Sequence, residues 1–152
     1  MRFKDYSIVL QEVPNEVTLC LTITGCKLAC DGCHSPYLWK EGSGMELTEN
    51  IFIGLLERYK NLITCVLFMG GEWEKETLIN FLIISKQNKL KTCLYTGLYE
   101  IDSGIKSELT FLKTGPWKKK LGGLENINTN QKFIDIDKNE ILNHLFMRNN
   151  SF

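Results

Sequence analysis

The chain has 152 residues, with 18 basic and 18 acidic side chains that leave a formal net charge of zero. A chain of this length that is 43% apolar is expected to form one domain, residues 1–152, with a moderate core and no bulk charge to hold nucleic acid or a membrane surface. Met1-Arg2-Phe3-Lys4-Asp5-Tyr6 lacks the apolar centre of a signal peptide and no apolar run is long enough to span a bilayer, so a cytoplasmic location is expected.

Taken in chain order, strands alternate with helices. Residues 18–24 (TLCLTIT) alternate Leu19, Leu21 and Ile23 with smaller residues and read as a strand. Residues 48–59 place Ile51, Phe52, Leu55, Leu56 and Tyr59 on one face behind Thr48 as N-cap, which predicts a helix. Residues 65–69 (CVLFM) form a short buried strand ending in Gly70-Gly71, and residues 74–87 a helix carrying Leu78, Phe81 and Leu82. Two more strands are expected at 91–96, ending at Gly97, and at 108–114, ending at Gly115. Residues 115–132, rich in Gly, Lys and Asn, read as a long functional or mobile loop. Asp137 and Glu140 form a capping-box pair before Ile141, Leu142, Leu145 and Phe146, which predicts a closing helix with His144 on its outer face.

Strands separated by helices predict an α/β fold with a mostly parallel sheet. Ligands of such sheets bind at the carboxyl ends of the strands. Gly25, Gly70-Gly71, Gly97 and Gly115 all fall at that edge, where glycine lets the backbone turn sharply or approach a ligand. Glycine also follows strands wherever a turn is needed.

Cys26, Cys30 and Cys33 carry the strongest chemical signal, a C-x3-C-x2-C run. Six cysteines in an intracellular chain speak for metal or catalysis ahead of disulfides. Three thiolates on one loop can hold three irons of a cubane cluster and leave the fourth open to a substrate. Zinc is the rival, since thiolates also select zinc, but a structural zinc site commonly takes four ligands from two separated pairs. His34 directly follows Cys33, which makes joint ligation to one tetrahedral ion awkward. Cys20, Cys65 and Cys93 lie inside apparent strands and read as core residues, because free cysteine packs as a small hydrophobe. An electron carrier would need a fourth cysteine ligand. Met69-Gly70-Gly71-Glu72 adds two glycines and a carboxylate able to accept from an ammonium group.

With the cysteine run and the Gly-Gly-Glu turn together, the chain resembles the radical S-adenosylmethionine (SAM) superfamily. Gly32-Cys33-His34-Ser35-Pro36-Tyr37-Leu38-Trp39, Leu94-Tyr95-Thr96-Gly97, Phe111-Leu112-Lys113-Thr114-Gly115-Pro116-Trp117 and Asn128-Thr129-Asn130-Gln131 narrow it. They are similar to segments of the activating proteins of anaerobic ribonucleoside-triphosphate reductase, over about residues 17–134. The resemblance implies a partial, open radical SAM-type β/α barrel. It implies one 4Fe–4S cluster held by Cys26, Cys30 and Cys33, and SAM bound by Gly32, Cys33, His34, Gly70, Gly71, Glu72, Thr96 and Gly97. It also implies reductive cleavage of SAM, with transfer of the radical to a glycine of the reductase's glycyl radical subunit. No catalytic residue is expected beyond the cluster and SAM. The implied partners are that reductase and a low-potential electron donor such as flavodoxin or ferredoxin, with no nucleic acid and no membrane.

The chain departs from the pattern at Val13-Pro14-Asn15-Glu16, where many members have Gly-Pro-Gly, and at Lys113-Thr114-Gly115, where Val-Asp-Gly is common. Lys113 can meet the SAM carboxylate, meet a partner's acid, or be solvated. Lys118-Lys119-Lys120 can be docking surface or plain solvated charge. A full barrel needs about 250 residues; a shorter chain leaves its sheet open to a protein substrate, with little room for a deep small-molecule pocket. The alternatives are an activase of another glycyl radical enzyme, a small-molecule maturase such as a deazaguanine synthase, or a non-catalytic zinc-binding module.

Overall fold

The computed structural model describes residues 1–147. One mixed sheet of eight strands runs through it in the order β3-β1-β2-β4-β5-β6-β7-β8. Its strands are β1 Arg2–Val9, β2 Thr18–Ile23, β3 Met45–Glu46, β4 Cys65–Met69, β5 Lys91–Tyr95, β6 Phe111–Thr114, β7 Lys132–Asp135 and β8 Glu140–Ile141. The central strands β2, β4, β5 and β6 pair in parallel. β1 and β3 flank them antiparallel on one side, β7 and β8 on the other. The expected mostly parallel sheet is therefore corrected to a mixed one, because hairpin-like returns can add strands without a crossover helix.

The parallel strands are joined by helices α1 (Glu49–Tyr59), α2 (Lys75–Gln87) and α3 (Ser103–Ser107). Thr48 caps α1, its Oγ1 accepting from the Ile51 N–H at 3.2 Å; this satisfies one of the donors a helix start leaves unpaired. Phe52, Leu55 and Leu56 of α1 are buried, while Ile51, expected on that face, is exposed.

The period-2 alternation of the strands divides the core between two faces. On the helix side Leu21, Ile23, Phe68, Leu94 and Leu112 pack against α1 and α2, with the Phe52 and Phe81 rings 4.7 Å apart. On the inner side Cys20, Cys65, Leu67, Cys93, Phe111 and Phe133 form a second core, roofed by Val13 and Leu124 from loops. All three of these cysteines are buried and free.

Among the described residues no α-helix forms where a closing helix was expected. Asp135 and Lys138 form a turn, with the Lys138 N–H donating to Asp135 Oδ1 at 3.0 Å and Asn139 at φ +50°. This turn joins β7 to β8, and a 3₁₀ turn at Asn143–Phe146 follows. Pairing of β8 with β7 takes the residues that the capping-box reading assigned to a first helical turn. Leu142 and Phe146 then fold back onto the inner core, Phe146 meeting Phe133 at 5.0 Å.

Candidate metal and ligand site

The cysteine loop leaves the carboxyl end of β2. Thr24 anchors it, its Oγ1 donating to Ser43 O at 2.7 Å. Gly25 turns the chain at φ +92°, a conformation that costs L side chains energy. The loop returns through a 3₁₀ turn, Pro36–Trp39, in which Leu38 O accepts from the N–H groups of both Gly25 (2.7 Å) and Cys26 (3.1 Å). Residues 25–38 thus form a ring of chain closed by backbone hydrogen bonds. Within it Cys33 N–H donates to Cys30 O at 3.0 Å, and Ser35 N–H donates to Cys33 Sγ at 3.4 Å. Ala29 (φ +44°) and Gly32 (φ +69°) supply the left-handed turns between the cysteines. All three thiols are free and partly exposed. Burial pushes the Cys26 thiol up, and the neighbouring Glu72, Cys30 and Cys33 add to that. Among the described residues no three His, Cys, Asp or Glu side chains converge to hold a single metal ion.

The Gly-Gly-Glu turn leaves β4 beside this ring. Gly70 (φ +88°) and Gly71 (φ +108°) are both left-handed, and Gly70 N–H donates to Tyr95 O at 2.9 Å. Trp73 lies across both roots of the site: a Cβ on Gly70 would sit 2.7 Å from its Cη2, and one on Gly25 would sit 3.4 Å from its Nε1. Thr96, just beyond β5, donates from Oγ1 to Glu72 Oε1 at 2.6 Å, and Thr96 Oγ1 accepts from Leu98 N–H at 3.1 Å. Glu72 Oε2 is buried with no partner. Burial holds the Glu72 carboxyl above its ordinary range, and the Thr96 hydrogen bond opposes this only in part. Glu72 is thus a buried acceptor that lacks a donor, an arrangement that costs energy until a hydrogen-bonding group arrives.

Gly97 passes close under the ring. A Cβ there would lie 2.5 Å from Leu28 Cδ1 and 3.8 Å from Cys30 Sγ. On the other side Cys33, His34, Tyr95, Lys113, Trp117 and Gln131 border an open cavity of about 1060 Å³ on the inner face of the sheet. Its far wall includes Glu12, Leu124 and Phe146. The loop before β2 and the folded-back end of the chain build walls of this open cavity that strand counting does not reveal. Lys113 is not a solvated lysine. Its ammonium lies 5.6 Å from the centre of the Tyr95 ring, and burial pulls it down to about 8, with the Cys30 thiol opposing. The His34 ring packs on Trp117 at 4.6 Å.

The expected site residues therefore fall into connected groups: Cys26, Cys30 and Cys33 on the ring; Glu72 with Thr96; Gly97 under Cys30; Cys33 and His34 at the cavity mouth. Gly32 is exposed, its missing Cβ facing Trp117 and Lys119 at 3.8 Å each. His144 lies exposed in the last turn. Sequence reasoning gave no role to Trp73, Tyr95 or Glu12. Trp73 follows Glu72 directly, and an aromatic beside a Gly-Gly turn was the available signal; nothing marks Glu12, whose backbone carbonyl accepts from Tyr95 Oη.

The family model described as a 4Fe-4S single cluster domain matches residues 16–114. A pyruvate formate-lyase-activating enzyme from Clostridium pasteurianum is 35% identical over 81 residues, 49% of this chain and 34% of that protein. The chain thus spans about a third of the length of that curated relative.

Proposed function

The chain belongs to the family of 4Fe-4S single cluster domains, and on that premise we propose that it is a radical SAM activating enzyme, an oxidoreductase that installs a glycyl radical on a partner protein. The target we propose is anaerobic ribonucleoside-triphosphate reductase, and the fold a half-barrel whose open side admits that partner. The observation that carries the reading is the buried, unpartnered oxygen of Glu72 beside a ring bearing three free thiols.

The donor set fits a cluster. Its three ligands are soft thiolates. Cys30 and Cys33 lie near enough to Cys26 to act on its thiol. In this reading Cys26, Cys30 and Cys33 would hold a 4Fe–4S cluster, which together with SAM would supply one-electron cleavage of a carbon–sulfur bond. The chain's residues bind and orient. Glu72 Oε2 accepts from the methionine ammonium of SAM, which supplies the donor its burial calls for. Thr96 holds the other carboxylate oxygen, so the acceptor is fixed before the ligand arrives. Lys113, held in the cavity wall, meets a carboxylate. Gly32, His34, Gly70, Gly71 and Gly97 keep backbone close to the nucleoside and methionine. Leu124 and Phe146 add apolar surface to the cavity wall.

A second reading, an activase of another glycyl radical enzyme, is favoured by the similarity to a pyruvate formate-lyase-activating enzyme. One experiment tests both. The anaerobically reconstituted protein is given SAM and a strong reductant, and 5′-deoxyadenosine is measured with and without Cys30→Ala. Each candidate partner is then added, and the glycyl radical is read by electron paramagnetic resonance. The expected result is nucleoside formation that Cys30→Ala abolishes, and a radical on the reductase. A radical on pyruvate formate-lyase alone selects the second reading. A colourless protein that binds zinc and no SAM refutes both.

A further inference from the structure

The lysine run sits at the cysteine ring. Gly32, between the second and third cysteines, has its open Cα side 3.8 Å from Lys119 Cβ, counted from where its own Cβ would be. Lys118 and Cys30 line the same small cavity. Lys118, Lys119 and Lys120 are exposed, as is Lys27 on the ring itself. None of the four forms an ion pair among the described residues. Asp31 is the only acid between Gly25 and Leu38. In a chain of zero net charge, this gathers uncompensated positive charge at the one place where an electron has to enter.

Resting on the activase reading above, we propose that Lys27 and Lys118–Lys120 form the docking surface for an acidic one-electron carrier protein, which delivers its electron through the ring between Cys30 and Cys33. Each cleavage of SAM consumes one electron, and a cluster in a loop this close to the surface takes it from a partner seated over the loop. Exposed lysines contribute little to a fixed contact. They raise association rates by steering, roughly 10- to 1000-fold when charge is complementary, and the gain falls as salt shortens the screening length from about 10 Å at 0.1 M to about 3 Å at 1 M.

The test uses the reconstituted protein and reads bleaching of the cluster absorbance in a stopped-flow instrument. Reductants are dithionite, a small anion, and reduced flavodoxin, an acidic protein. The variant is Lys118→Glu, Lys119→Glu and Lys120→Glu together. A control, Lys106→Glu with Lys138→Glu, reverses two exposed charges at the opposite edge of the sheet. The expected result is a fall of about 10-fold or more in the flavodoxin rate constant at low salt, with the wild-type rate dropping as salt rises. The dithionite end point stays unchanged, and the control behaves as wild type. A triple Lys→Gln variant falls between. An unchanged flavodoxin rate in the triple Glu variant overturns the proposal. So does normal reduction combined with loss of glycyl radical transfer, which would give the surface to the glycyl partner. If dithionite bleaches nothing in the wild type, the cluster reading itself has failed and the docking surface falls with it.

Discussion

At Gly70 the backbone has φ +88°, and an added Cβ would lie 2.7 Å from Cη2 and 3.2 Å from Cζ3 of Trp73. Gly42 offers the comparison, with φ +74° and nothing within 4 Å of such a Cβ. Gly42→Ala therefore measures backbone strain alone, about 1–2 kcal/mol for a left-handed L residue. That is offset by about 0.4–1 kcal/mol because the unfolded chain has less entropy to lose, for a net cost of about 1 kcal/mol. Gly70→Ala carries the same strain plus overpacking against a rigid indole, about 1–3 kcal/mol more, so about 2–4 kcal/mol in all. With a urea m-value of about 2 kcal/mol/M, the midpoints shift by about 0.5 M for Gly42→Ala and about 1–2 M for Gly70→Ala. The displaced indole has the root of the cysteine ring on its other side, at Gly25. Iron and sulfide bound per chain should fall in Gly70→Ala and stay normal in Gly42→Ala. Trp73→Leu on the Gly70→Ala background should recover the overpacking part. Equal costs at the two glycines, or no recovery with Leu, would refute the placing of Trp73 across the two turns.

Burial raises the Glu72 carboxyl above its ordinary 4.5, so the native state holds its proton longer than the unfolded chain does. The stability tied to this group is present below about pH 4.5 and is lost as pH rises through the raised native value. Glu72→Gln in the metal-free protein should therefore gain on wild type as pH rises from acid to neutral; urea melts across that range would contradict the reasoning if the difference stayed constant. Burial pushes the Cys20 and Cys65 thiols up to about 12, and it raises the Cys93 thiol well above its ordinary value. Iodoacetamide at about pH 8 should then label Cys26, Cys30 and Cys33 in the native metal-free protein, because they are partly exposed and free and only thiolate reacts. The other three should label only in denaturant, and mass spectrometry of digests will show whether they do. Phe133→Ala removes a ring that touches Tyr95, Phe111 and Phe146. It should cost about 3–5 kcal/mol, and a chemical denaturation loss below about 1 kcal/mol would mean that the inner core is not packed as described.

The four central strands and two longer helices were legible because β2 alternates, β4 is an unbroken apolar run, all four strands run into glycine, and the helices carry a 3.6-residue stripe. β1 was not: its burial alternates poorly, with Phe3 alone fully buried among Arg2, Lys4, Asp5 and Ser7. It is held by pairing with β2 rather than by its own pattern. β7 is four residues long and reads as the end of a polar loop. The helical spacing of Ile141, Leu142, Leu145 and Phe146 was real, but tertiary pairing overrode it, and Ile141 and Leu145 are exposed. In the candidate site, the cysteine run and the Gly-Gly-Glu turn stood out as motifs. Lys113 did not, because the Tyr95 ring it lies beside is distant in sequence.

Leu38 O receives two N–H groups, from Gly25 and Cys26, so the loop's entry and exit are joined through main chain. No side chain takes part in that closure. Replacing a thiol by a hydroxyl at Cys26, Cys30 or Cys33 therefore leaves the closing bonds in place, and the outline of the ring can be varied separately from the chemistry of its sulfurs.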